Sequence, residues 1–292
     1  VAFAGDRDPI AAIEEAARSV VLRAREKGWT GPPFNPVDLA PLFDAKLRPN
    51  SSVAAARVIV EAGETIIEYN PQQPRERTRF SIAHELAHLL FPDYHVEVRN
   101  RAHTGAGDAW QLEMLCNIAA SEFVLPIGSL PSELSEMSLE SLMVERRLFD
   151  VSTEAFLMRV VKIADKPVTM FVASSVESDE ELRTYRIDYS VSSATAKDLE
   201  LRGRRIPEES LVRHCTAIGY TEAEVGTWAT GLPTRIESVG IPGFAGERFP
   251  RVAGVIRHEA TDEGRQPIKY LHGYVWEVAR TGRKLICQLV ND

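Results

Sequence analysis

His84, Glu85 and His88 are the residues whose types and spacing specify a chemistry most directly. They lie in the apolar run Arg79-Phe80-Ser81-Ile82-Ala83-His84-Glu85-Leu86-Ala87-His88-Leu89-Leu90-Phe91. On a helix, residues four apart stack on one face, so the two imidazoles reach a single point. Imidazoles so placed are ligands for one divalent ion, and the adjacent carboxylate can take a proton from a water bound there. Phe80, Ala83, Leu86, Ala87, Leu89 and Leu90 predict a buried helix free of Gly and Pro. Burying two imidazoles and a carboxylate in it is costly unless they are paired or ligate a metal. The expected chemistry is zinc-dependent hydrolysis with Glu85 as general base.

A catalytic zinc site takes three protein ligands and keeps one position open for water. His95, His103, Glu113, Cys116 and Glu122 are the candidates for the third. Glu113, Cys116 and Glu122 fall on a helix predicted over 110–125 and stopped by Pro126. Glu113 sits among Leu112, Met114 and Leu115, where an unpaired carboxylate is unexpected. Asn117, one turn later, is suited to orient a ligand or substrate. The His- and Gly-rich stretch 93–108 reads as a lid or substrate-binding loop, or as a disordered excursion. His103, Tyr94 or an arginine are the candidates for stabilising an oxyanion. The continuation His-x-x-Gly-x-x-His is absent, because Leu89-Leu90-Phe91-Pro92 follows His88. That excludes the metzincin plan.

The elements that must position these residues are legible by period and punctuation. Residues 8–27 predict an amphipathic helix with Ile10, Ile13, Ala17, Val20, Val21 and Ala24 on its apolar stripe. Gly28 and Gly31-Pro32-Pro33 end it, and 37–43 predicts a second, short helix. Residues 58–60 and 65–69 predict a β-hairpin. Asn70-Pro71-Gln72-Gln73-Pro74 then breaks the pattern before the motif helix. Beyond Pro126, helices are expected at 138–148 and 153–164, joined by Phe149-Asp150-Val151-Ser152 with Ser152 as cap, the spacing of a helix-turn-helix. Past Lys166-Pro167, strand-like runs at 168–173, 182–191, 252–257, 270–278 and 284–290 alternate with helices expected at 208–214 and 222–229. The fold class is therefore α+β with an antiparallel sheet.

Arg79-Phe80-Ser81-Ile82-Ala83-His84-Glu85-Leu86-Ala87-His88, with Glu113, Asn117, Ala119-Ala120 and Val124-Leu125-Pro126 after it, resembles the ImmA/IrrE family of zinc peptidases over residues 35–165. Ala87 stands where that family has Gly, Ala119 where it has Phe, and Phe123-Val124-Leu125-Pro126 replaces its usual ending. The resemblance implies a zincin-like metallopeptidase core in which His84, His88 and Glu113 hold zinc and Glu85 is catalytic. It also implies a helix-turn-helix module and, as in IrrE-like members, a GAF-like C-terminal sensor domain with a possible small-molecule signal. The expected division is 1–126, 127–166 and 167–292. The implied substrate is a protein: a DdrO-like helix-turn-helix repressor, cleaved to induce the DNA-damage, radiation and desiccation response. A His/His/Glu set suits Mn2+ as well as Zn2+.

Charge and composition narrow the alternatives. The net charge is −8, and 1–125, 126–167 and 168–292 are each net acidic. That disfavours strong non-specific nucleic-acid binding. Glu154 stands where the second helix of the pair would meet DNA, with Arg159 and Lys162 as its only basic residues. A DNA-binding transcription regulator with a structural metal site is the competing reading, yet such a site wants four Cys and His ligands. Three widely spaced cysteines, Cys116, Cys215 and Cys287, fit a reducing cytoplasm, and no signal peptide or membrane-length apolar run is legible.

Overall fold

The computed structural model describes residues 2–92, 110–176, 184–197, 199–243 and 249–258, together with two strands, Tyr274–Val278 and Leu285–Leu289. Tyr94, His95, His103 and the lid expected at 93–108 lie outside the described residues. The chain forms two compact units. The first comprises 1–129 and 148–152, and the second 130–147 and 153–292. No described helix is long and apolar enough to cross a membrane.

The first unit opens with helix α1, Pro9–Glu26. The Asp8 side chain accepts from the N–H groups of Ile10 and Ala11, and Pro9 occupies the first turn, where its missing N–H costs nothing. Ala12, Ile13, Ala17, Val20, Val21 and Ala24 are its buried stripe, close to the stripe expected. The short helix expected at 37–43 is a 3-10 segment, Pro36–Phe43, capped by Asn35. Strands β1 (Ala45–Pro49), β2 (Ala56–Glu61) and β3 (Glu64–Tyr69) form a sheet in the order β1-β3-β2. The β2–β3 hairpin was legible. Its two-residue turn, Ala62-Gly63, has positive φ at both positions, as a type I′ turn requires. Strand β1 pairs parallel to β3, with Ala45 opposite Thr65, and was not legible. Its five residues, Ala-Lys-Leu-Arg-Pro, carry two charges and a proline.

Helix α2, Arg75–His88, carries the motif, and α3 spans Trp110–Val124. The two pack on each other, with α1 against α3 and the sheet against α2. Ala83 and Ala87 on α2 and Ala119 and Ala120 on α3 are all fully buried. Side chains that small let the two helices approach closely, which brings the longer polar side chains one turn away into contact.

The second unit contains α4 (most of Leu139–Phe149), α5 (Thr153–Ile163) and an antiparallel sheet. Its strands are β4 (Val168–Ser175), β5 (Tyr185–Ser192), β6 (Thr221–Gly226), β7 (Thr234–Ile241) and β8 (Arg251–Arg257), in the order β5-β4-β8-β7-β6. Strands β9 (Tyr274–Val278) and β10 (Leu285–Leu289) pair antiparallel with each other. Phe171, Tyr185, Ile187, Ile236, Val252 and Ile256 centre the core. The helix expected at 222–229 is instead strand β6, and that at 208–214 shortens to the 3-10 turn Leu211–His214. Glu and Ala favour helix locally, but Thr221-Glu222-Ala223-Glu224-Val225 also alternates with period two. Pairing with β7 decides in favour of the strand. Glu224 then accepts from Ser210 Oγ, the Leu211 N–H and Trp228 Nε1.

Candidate metal centre

One turn of α3 faces one turn of α2, all within the first unit. Residues 113, 116 and 117 share a helix face by their i, i+3, i+4 spacing, as do 84 and 88. His84 Nε2 lies 3.1 Å from His88 Nε2. Glu113 brings Oε2 to 3.0 Å from His84 Nε2 and Oε1 to 3.8 Å from His88 Nε2. A tetrahedral ion with zinc-like bond lengths separates its ligand atoms by about 3.3–3.5 Å. The distances here straddle that value, so the donor set fits such an ion in size as well as in chemistry.

The far nitrogens of both rings are also engaged by α3. Asn117 Oδ1 is 2.9 Å from His84 Nδ1, and Cys116 Sγ is 3.1 Å from His88 Nδ1. A proton on each Nδ1 leaves Nε2 with its lone pair towards Glu113, the tautomer a metal requires. Asn117 thus orients a ring, as its position suggested. Cys116, a candidate ligand by sequence, meets the far nitrogen of His88. Glu122 stands further along α3 and accepts from the Ile127 N–H at 3.3 Å.

Glu85 is buried between the rings and the sheet. A carboxylate oxygen of Glu85 and ring nitrogens of His84 and His88 all lie within 4.8 Å of one another. Its Oε2 accepts from the Val58 N–H of β2 at 3.0 Å. Burial alone would lower the His84 pKa. The bond to Glu113, the charges of Glu85 and Glu113 and the bond to Asn117 outweigh it, and the pKa is raised above the ordinary imidazole value.

Arg79 anchors the other end of α2. Its buried guanidinium donates to Phe34 O, to Phe149 O at 3.1 Å, and to Asp150 O and Oδ2 at 2.6 and 3.1 Å. Arg75 adds an ion pair to Asp150 at 2.8 Å. Burial pushes the Arg79 guanidinium below its usual pKa against the pull of Asp150. Sequence reasoning missed this clasp, although an arginine in an apolar helix was the signal for it. It also missed the Val58 amide, a backbone group that residue type does not reveal.

Residues 48–161 match a family model described as Peptidase_M78, the IrrE N-terminal-like domain. A comparison with curated protein sequences gives no match. Among solved structures, a Mycobacterium tuberculosis transcriptional regulator is similar at a TM-score of 0.54 and 13% identity, over 83% of this chain and 76% of that one. At that identity the likeness is one of fold.

Proposed function

We propose, from the premise that residues 48–161 form an IrrE N-terminal-like, metallopeptidase-type domain, that the protein is a zinc-dependent protease acting on a protein substrate. The observation that carries this reading is the convergence of His84 Nε2, His88 Nε2 and the half-buried Glu113 carboxylate at 3.0–3.8 Å beside a second carboxylate, the buried Glu85. His84, His88 and Glu113 would hold the ion, with Asn117 and Cys116 fixing the two imidazoles. A divalent ion there supplies a Lewis acid and an acidified water. Glu85 takes a proton from the nucleophile and returns it to the leaving amine.

The ImmA/IrrE resemblance supports a DNA-binding, DdrO-like repressor as substrate, cleaved in the cytoplasm to induce a DNA-damage, radiation and desiccation response. Cys116 and Cys215, both buried and neither in a disulfide, suit that compartment. The antiparallel five-stranded sheet of the second unit supports a GAF-like reading of residues 167–292 as a sensor. Direct DNA binding through 127–166 as a helix-turn-helix is the weaker reading. Glu154, at the start of α5, accepts from Tyr189 Oη at 2.6 Å and from Arg251, and Arg159 is buried. Glu154 is thus engaged with the sheet, and Arg159 is withdrawn from the surface.

The test is Glu85→Gln. Zinc-loaded protein is incubated with a purified helix-turn-helix repressor from the same genome. The wild type should cleave it, and the variant should bind zinc equally and cleave at least about a hundredfold more slowly. Equal cleavage by both would refute the assignment. Chelation followed by adding back Zn2+ or Mn2+ identifies the supporting ion.

A further inference from the structure

Glu85 lies as close to the two imidazoles as a ligand would need, yet the chemistry above requires it to remain a base. A carboxylate oxygen within 4.8 Å of both histidine nitrogens would need only a rotation of its own side chain to become a further ligand of an ion held by them. It would then fill the position that a catalytic site keeps open. Something must hold it back.

Strand β2 is an edge of its sheet, with β3 as its partner there. Val58 faces Ile67 across the ladder, but its N–H points away from β3 and donates to Glu85 Oε2 at 3.0 Å in a buried setting. The bonds to β3 at this point fall to the flanking residues, by the alternation of an antiparallel pair. The Val58 amide is thereby left for the carboxylate. The side chain of Val58 is buried, which fixes the strand register. A slip of one residue would turn this N–H from the helix to the ladder.

We propose that the Val58 backbone amide is a positioning group that tethers Glu85 off the metal, so that α2 offers two imidazoles as ligands and the carboxylate between them as base. The inference rests on the metallopeptidase reading for its catalytic consequence. Its structural content, a tether that prevents coordination, is testable without turnover. No side-chain type at position 58 encodes the tether, and any residue except proline supplies it.

Val58→Pro removes the N–H while leaving the ladder bonds intact, as proline is tolerated at an edge position whose N–H faces outward. Val60→Pro, two residues along on the same outward row, is the matched control. Both proteins, full length and stripped of metal, are titrated with Zn2+ against a chromophoric chelator and with Co2+ by visible absorption. Val58→Pro should bind Zn2+ about tenfold more tightly, since a fourth protein ligand is gained. Its Co2+ spectrum should change shape, while Val60→Pro stays within twofold of the wild type. Adding Glu85→Gln to Val58→Pro should reverse both effects. A proline that merely loosened the sheet would weaken binding. If Val58→Pro fails to fold, a backbone ester at position 58 removes the same N–H without a ring. Unchanged affinity and spectrum in a folded variant, equal tightening in Val60→Pro, or tightening that survives Glu85→Gln would each overturn the proposal. In the repressor assay Val58→Pro should lower kcat with KM unchanged. A wild type that cleaves nothing while Val58→Pro still tightens metal binding would refute the protease reading and leave the tether standing.

Discussion

Asn117→Ala tests whether α3 sets the geometry of the metal centre. In the intact protein, Asn117 Oδ1 lies 2.9 Å from His84 Nδ1, and Asn117 is 9% exposed. Alanine leaves the Nδ1–H of a buried ring without that acceptor, and water enters poorly at such burial. An unsatisfied buried donor costs about 1–3 kcal/mol. The ring recovers part of this by moving its proton to Nε2 and hydrogen-bonding Glu113, which removes the lone pair a metal needs. Ion binding must reverse that shift, so the penalty appears in affinity. The expected loss is about 10–100-fold in Zn2+ affinity, or about 1.4–2.8 kcal/mol, the range typical of groups that orient a ligand from behind. Asn117→Asp keeps an acceptor, adds charge and should bind at least as tightly as the wild type. Competition with a chromophoric chelator measures the affinities, and circular dichroism verifies that each variant is folded. An Asn117→Ala affinity within twofold of the wild type would refute the reasoning, because His84 would then need no partner on α3.

Two further outcomes follow from other parts of the molecule. Arg79→Met strips the donor from three backbone carbonyls and one carboxylate oxygen. With Asp150 still paired to Arg75, it should destabilise the first unit by about 2–4 kcal/mol in urea unfolding, and a loss below about 1 kcal/mol would show the clasp to be incidental. Glu237 is buried between Arg235 and Arg257 in the second unit. Burial raises its pKa, but the bonds to the two arginines outweigh this and hold it below the ordinary 4.5. Its contribution is therefore complete above that value and is lost as the pH falls through the lower folded-state pKa. Glu237→Gln should flatten the acid limb of the second unit's stability against pH below about pH 4.5. An unchanged limb would count against the pairing.

The parts of the fold that could be read from sequence are those whose stability is decided locally. Helix α1 has its cap at Asp8, its stripe and its stop within one segment. The β2–β3 hairpin has its turn between its strands. Strand β1 carries its meaning in a parallel partner twenty residues away, so its short charged sequence showed nothing. Strand β6 was misread because Glu222 and Glu224 prefer helix in isolation, while β7 and the acceptor role of Glu224 make it a strand. In each case a contact distant in sequence overrode or supplied the local signal.

The metal centre divides along the same line. Sequence alone determined that His84, Glu85 and His88 share one stretch of helix, because four-residue spacing on a helix fixes which groups face together. It named Glu113 through a resemblance and suggested a supporting role for Asn117. Only the tertiary structure decided that Cys116 stands behind His88, that Asn117 stands behind His84 and that the Val58 N–H holds Glu85. The physical reason is that these are relations between elements. A helix period orders side chains along one axis. The distance and rotation between α2, α3 and β2, set by buried alanines and strand register, determine which atoms meet across the gap.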